Sequence, residues 1–273
     1  MRACINGATT MPHPLEADLE AAAEAGFPLV EIWAGKLGPY LDRRGGAAAL
    51  RAELGERGLG VAAICPYSLR LFGEWEQGLP AVERAAALAA EIGCPLLLVC
   101  PDAPGDSGRG PEVWRQAGER ARTYAERAAA AGVRLAIEPL GRHAFVPGPR
   151  EAMALIRAAG HPALGLMLDT FHYHKSGVPE ADVAAVPPEV WSIVHINDVP
   201  AGDPAALADA DRLYPGEGVL PLRETLRHFR AIGYTGAVSV EVFRRAYWDL
   251  PIAEINRRAY AGVMAALRAA GAD

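Results

Sequence analysis

The run Ala159-Gly160-His161-Pro162-Ala163-Leu164-Gly165-Leu166-Met167-Leu168-Asp169 carries the pattern that decides the fold. An Ala-rich helical segment stops at a Gly, a short apolar strand follows, and a carboxylate closes the strand. The same order recurs in AGFPLVEIW at Gly26, RGLGVAAIC at Gly58, IGCPLLLVC at Gly93, AGVRLAIEP at Gly132 and IGYTGAVSVEV at Gly233. A helix commonly ends on a left-handed residue just past its last turn, and Gly adopts that conformation without a Cβ clash.

Two further apolar runs complete a set of eight: ACIN at the N-terminus, and VWSIVHI from Val190, which follows Pro187 and Pro188 where the others follow a Gly. The runs are near-continuously apolar, as expected of parallel strands covered on both faces. Helical patterns lie between them at Pro80 to Glu91, Glu112 to Ala131, Pro221 to Ile232 and Ile252 to Ala269. Eight strands alternating with helices predict an α/β chain folded as a (β/α)8 TIM barrel. A chain of 273 residues suits one such barrel, so residues 1–273 are expected to form a single domain. The open doubly wound sheet is the rival, but the turn after the first strand, Asn6-Gly7-Ala8-Thr9-Thr10, has no GxGxxG or Walker spacing.

Composition narrows the partners. The net charge of -6 argues against a surface that tracks a phosphate backbone, so nucleic acid is excluded as a partner and a small molecule is expected. Cys4, Cys65, Cys94 and Cys100 show no CxxC spacing and are read as reduced, mostly buried thiols. No apolar run approaches signal-peptide or membrane-span length, so a cytoplasmic protein without a membrane partner is the expectation.

In a TIM barrel the chemistry lies at the C-terminal ends of the strands. Four consecutive strands here finish with a potential metal ligand: Glu138, Asp169, His195 and Glu241. A polar residue often ends a strand because the chain is returning to water. Four on adjacent strands, at about 4.8 Å strand spacing, would instead crowd three carboxylates and an imidazole onto one rim. Such a cluster repels itself without a cation, and its mixed oxygen and nitrogen donors suit one divalent ion: Mn2+, Zn2+, Co2+ or Mg2+. His172, three residues after Asp169, could touch substrate or metal, whereas His174 is read as an ordinary surface residue. Arg212 offers a planar fork to substrate oxygens. Trp33 is a candidate pocket wall. Asp198 is a candidate partner fixing the His195 imidazole, as metal-bound histidines usually require, and Glu217 a further supporting residue.

With these motifs in view, the chain resembles the xylose isomerase-like superfamily of TIM-barrel sugar isomerases and epimerases. The segments that carry the likeness are CINGATT, LAIEP, GLMLDTFHYHKSG, VHINDVPAG, DADRLYPGEG and VSVEVFRRAYWDL. CINGATT and FRRAYWDL incline it toward the keto-inositol isomerases of that superfamily. The resemblance places the family's metal ligands on Glu138, Asp169, His195 and Glu241, and its substrate contacts on His172 and Arg212. It implies a small keto-polyol substrate, interconversion of 2-keto-myo-inositol and 1-keto-D-chiro-inositol, and an assembly such as the dimers or tetramers frequent among these barrels. Ketohexose 3-epimerases carry another Glu six residues after the first ligand, where this chain has Ala144. The superfamily's apurinic-site endonucleases need extra His where this chain has Leu213, Cys65-Pro66 and Cys100-Pro101. Hydroxypyruvate isomerase, an inosose or dehydroshikimate dehydratase, and a non-catalytic binding barrel complete the alternatives. For an isomerase, Glu138 and Glu241 are the expected acid and base, with Asp169 and His195 mainly structural ligands.

Overall fold

The computed structural model describes residues 1–272. Eight parallel strands close into a barrel in sequential order: β1 (Arg2–Asn6), β2 (Leu29–Trp33), β3 (Gly60–Leu69), β4 (Leu96–Pro101), β5 (Arg134–Ile137), β6 (Leu164–Asp169), β7 (Trp191–Ile196) and β8 (Ala237–Val240). The ring is sealed where Ile5 of β1 lies opposite Val240 of β8. All six junction glycines have φ between 57° and 95°, the left-handed geometry that a side chain would strain.

The four expected helices are present as Leu79–Ile92, Pro111–Ala129, Leu222–Ala231 and Ile252–Ala270. Each packs an apolar stripe on the barrel. In the last one, Ile255, Ala259, Val263 and Leu267 recur at every fourth residue and are buried. Burial of each large aliphatic side chain there contributes about 1.5–3 kcal/mol. Among the described residues no helix is long and apolar enough to cross a membrane. All four cysteines are free; Cys100 alone is partly exposed.

The strands alternate with period two, and the alternation places the site. Ile5, Val30, Ile64, Leu97, Leu135, Leu166, Val194 and Val238 face outward and pack under the helices. Cys4, Leu29, Ala63, Leu98, Ala136, Met167, Ile193 and Ala237 form a separate, smaller cluster inside the barrel. Two residues further along the same inward rows stand Asn6, Glu31, Cys65, Cys100, Glu138, Asp169, His195 and Ser239, with Glu241 two beyond Ser239. The apolar interior therefore ends in a polar layer at the strands' C-terminal rim. Glu138 and Glu241 lie one residue past β5 and β8, and Ile196 rather than His195 closes β7.

Candidate metal and substrate site

One ligand atom from each of Glu138, Asp169, His195 and Glu241 lies within 4.8 Å of the others, and all four residues are buried. Register brings two of them together directly, since Asp169 pairs with His195 across β6 and β7.

Asp169 also caps the helix Thr170–Ser176. Its Oδ1 accepts the backbone N–H groups of Phe171 at 2.7 Å and His172 at 3.3 Å. Its Oδ2 is left facing the cluster, 2.6 Å from Nη1 of Arg212. Burial works to raise the Asp169 carboxyl, but the Arg212 guanidinium together with His172 and His195 outweighs it and holds the group well below the usual carboxylate range. Glu138 has no such neighbour within hydrogen-bond reach. Burial, then the charge of Glu241, pushes it up to about 8. Burial also raises Glu241, with His195 pulling the other way.

His195 is oriented from β2. Its Nε2 lies 3.0 and 2.9 Å from the two oxygens of Glu31, and Ser239 donates its hydroxyl to Glu31 Oε2 at 2.7 Å. With the Nε2 proton given to Glu31, the other ring nitrogen is aimed at the cluster. Nδ1 is buried and makes no well-formed hydrogen bond; Glu241 Oε2 lies 3.2 Å and Asp169 Oδ2 3.7 Å away. A lone pair facing two carboxylates is unfavourable unless a proton or a metal ion stands between them. Burial opposes a charged imidazole, yet Glu31 and Glu241 raise the His195 pKa well above its ordinary value. Four carboxylates, Glu31, Glu138, Asp169 and Glu241, are buried in this layer beside one guanidinium, Arg212, which pairs with Asp169 and Glu241. The residues present fit a divalent cation by charge and by donor type.

The helix Thr170–Ser176 also fixes His172. Its Nδ1 accepts the backbone N–H of Gly141 at 3.1 Å, so the neutral ring carries its proton on Nε2. Burial lowers its pKa to about 4, which keeps the ring neutral near pH 7. Arg212, 1% exposed, lies between the rings of Phe171 and Phe243, at 4.4 and 5.2 Å. Its Nε and Nη2 donate to Asp209, and its Nη1 donates to Asp169 and Glu241. Its Nη2 comes within 3.2 Å of His172 Nε2, a contact of donor against donor. An oxygen between these two groups would accept from both.

Above this cluster lies a cavity of about 400 Å³, lined by Trp33, Cys65, Cys100, Lys175, Asp209 and Phe243, among others. Trp33 stands on its wall, edge-on to Phe243 at 5.7 Å. A second cavity of about 350 Å³, outside the barrel between Tyr173 and His228, includes none of the four clustered residues in its lining.

Two expected supporting residues lie elsewhere. Asp198 does not touch the imidazole. Its carboxylate accepts N–H groups from Val199, Gly216 and Leu220, and so staples the loop that carries Arg212. That close approach requires Gly218, where a Cβ would fall 2.1 Å from the Val199 carbonyl oxygen. Glu217 points outward and accepts from Tyr247 at 2.5 Å and from Arg258 at 2.6 Å. The residue that holds the imidazole is Glu31, in mid-strand, and the amides of Asn6 and Asn197 reach Glu241 and Asp169. A signal for Asn6 and Glu31 was present in the period-two rows.

Residues 19–269 match the xylose isomerase-like TIM barrel family. The chain is 27% identical to an inosose isomerase of Halalkalibacterium halodurans over 269 residues, covering 95% of this chain and 94% of that protein. It is 31% identical to a 3-dehydroshikimate dehydratase of Pseudomonas putida over 243 residues, 85% of this chain but 36% of that protein. Among solved structures, that of the IOLI protein with a bound zinc atom superposes with a TM-score of 0.89 at 24% identity, covering 99% of this chain and 98% of the other. Barrel, site and sequence define a class of sugar isomerase-like TIM-barrel proteins. This chain belongs to the xylose isomerase-like TIM-barrel family.

Proposed function

We propose that the protein is a metal-dependent isomerase of keto-inositols, interconverting 2-keto-myo-inositol and 1-keto-D-chiro-inositol. The observation that carries this reading is the buried set Glu138, Asp169, His195 and Glu241 beside two N–H donors, His172 and Arg212, that converge without an acceptor. The four clustered residues would hold one divalent ion. When bound, such an ion supplies positive charge that stabilises the oxygen of a keto group as its neighbouring carbon is deprotonated.

The remaining chemistry falls to the chain's own side chains. A carboxylate takes the proton from the hydroxyl-bearing carbon next to the C=O, leaving an enediolate. The other carboxylic acid returns a proton to the former carbonyl carbon, while the hydroxyl proton passes between the two oxygens. Glu138 and Glu241 are the groups for these two steps. The Nε2–H of His172 and the guanidinium of Arg212 orient the substrate oxygens and favour the enediolate. Trp33 and Phe243 offer flat apolar surface to the C–H face of a ring, and Phe243 with Phe171 excludes water from around Arg212.

A dehydratase acting on 3-dehydroshikimate is the second reading, favoured by the 31% identity to the Pseudomonas enzyme. That substrate is an anion. Arg212, the guanidinium on the cavity wall, is already paired with Asp169, Asp209 and Glu241. Its charge is therefore balanced before any carboxylate arrives, which supports the uncharged substrate. The deciding experiment is proton NMR of the zinc- or magnesium-loaded protein in heavy water with each compound. A new keto-inositol carrying deuterium supports the isomerase. Dehydration of 3-dehydroshikimate with inert keto-inositol overturns it.

A further inference from the structure

Two buried asparagines treat two of the cluster's carboxylates in the same way. Asn6, at the end of β1, is completely buried. Its Oδ1 accepts the backbone N–H of Ala8 at 2.8 Å, and its Nδ2 donates to Glu241 Oε1 and to Cys65 Sγ, both at 3.1 Å. A flipped amide would set oxygen against carboxylate and N–H against N–H, so its orientation is fixed. Asn197, just past β7, is equally buried. Its Oδ1 accepts from the Thr170 hydroxyl at 2.9 Å, and its Nδ2 donates to Asp169 Oδ1 at 3.1 Å.

The outcome is an ordered division of oxygens. Glu241 Oε1 is held by the Asn6 amide and Asp169 Oδ1 by the Asn197 amide together with the backbone N–H groups of Phe171 and His172, while Asp169 Oδ2 and Glu241 Oε2 face His195 Nδ1 and Arg212 Nη1. Glu138 lacks such a clamp: its Oε2 has only the Cys100 thiol at 3.4 Å, and its Oε1 lies 3.7 Å from His172 Nε2.

Resting on the metal reading above, we infer that Asn6 and Asn197 are positioning residues that limit Asp169 and Glu241 to one ligand oxygen each. A carboxylate left free can chelate an ion with both oxygens and fill positions a substrate would need. The clamps keep those positions open, so they govern substrate capture more than metal retention.

The test compares wild-type protein with Asn6→Ser and Asn197→Ser, each loaded with Co2+, whose visible absorption weakens as coordination number rises. Folding is checked by thermal melts. The expected result is one Co2+ bound per chain in every case, but a weaker band in the variants. Non-reacting myo-inositol should perturb the wild-type band and leave the variants' bands unchanged, and turnover at saturating metal should fall by about 10- to 100-fold. Variant bands that match the wild type in strength and in response to myo-inositol overturn the inference, as does a folded variant that no longer binds Co2+. X-ray absorption of the zinc-loaded wild-type protein decides the point without any variant: a carboxylate bound through both oxygens overturns it. Should the wild-type protein bind no ion, the metal reading itself fails, a result distinct from either.

Discussion

The two halves of the barrel end differently. The strands β5 to β8 deliver Glu138, Asp169, His195 and Glu241, whose ligand atoms converge on one point. The strands β1 to β4 deliver Asn6, Glu31, Cys65 and Cys100; Asn6 reaches Glu241, Glu31 reaches His195, Cys100 reaches Glu138, and Cys65 accepts from Asn6. One half presents charge to the centre and the other holds it in place. Closely placed charge is cheap to encode in a barrel rim but costly to keep oriented. The supporting half therefore needs as much burial as the converging residues, and Glu31 is 1% exposed.

This contrast breaks most sharply at Glu241. Glu241→Gln keeps the shape of the side chain but removes its charge and its capacity to take a proton. Turnover should fall by about 10²- to 10⁴-fold at saturating metal, as steady-state assays would show. Near-normal kcat would remove Glu241 from the acid–base pair.

A change in the supporting half should act through the ion instead. Glu31→Gln leaves His195 without its anionic partner, and divalent-metal affinity should drop by about 10- to 100-fold in competition titrations, with much of kcat restored by excess metal. Loss of turnover that excess metal does not restore would erase the distinction between the halves.

Acidity sharpens the same comparison. Glu138 is pushed up to about 8 from an ordinary 4.5, by burial and by Glu241, and His195 is raised as well. The metal-free cluster therefore holds protons near pH 7 that an ion must displace. Metal affinity should climb from pH 6 to 8 with measurable proton release. A group bound to its proton more tightly when folded contributes stability below its unfolded pKa and loses it as pH rises through the folded value. The melting temperature of the metal-free protein should accordingly fall between pH 6 and 8.5, and the gap to the metal-loaded form should widen. A gap independent of pH would show that the ion does not replace these protons.

The smallest effect belongs outside both halves. Tyr247→Phe removes one hydrogen bond to the half-exposed Glu217 while keeping the ring stacked on Tyr214 at 4.2 Å. A loss of about 1 kcal/mol or less is expected in denaturant melts, with kcat unchanged. A large fall in kcat would return Glu217 to the site.

How much of this was legible in the sequence follows from where each residue sits in its strand. The barrel was readable because six Gly-to-strand junctions repeat one local rule. The four converging residues were readable because each stands at or next to the end of an apolar run. Glu31 escaped because Ile32 and Trp33 follow it, so it does not close its apolar run. Asn6 looked like the start of a turn. Asp198 was assigned the imidazole because it follows His195 by three residues, yet the chain has by then left the barrel, and its carboxylate is better used on backbone N–H groups of the next loop. Sequence distance favoured Asp198, while the contact that forms joins residues 164 apart.

Ring closure has a consequence for how the protein is made. Asn6 and Glu241 meet only when β8 seats against β1, a contact between residues 235 positions apart. A chain that has assembled seven strands owns three of the four converging groups and the Asn6 amide, but not the last carboxylate, which that amide clamps. Loop-closure entropy puts such a distant contact among the late events of folding. Ion capture would then time the final step of assembly: added during refolding, the metal acts as a stopwatch started by the first strand and stopped by the eighth.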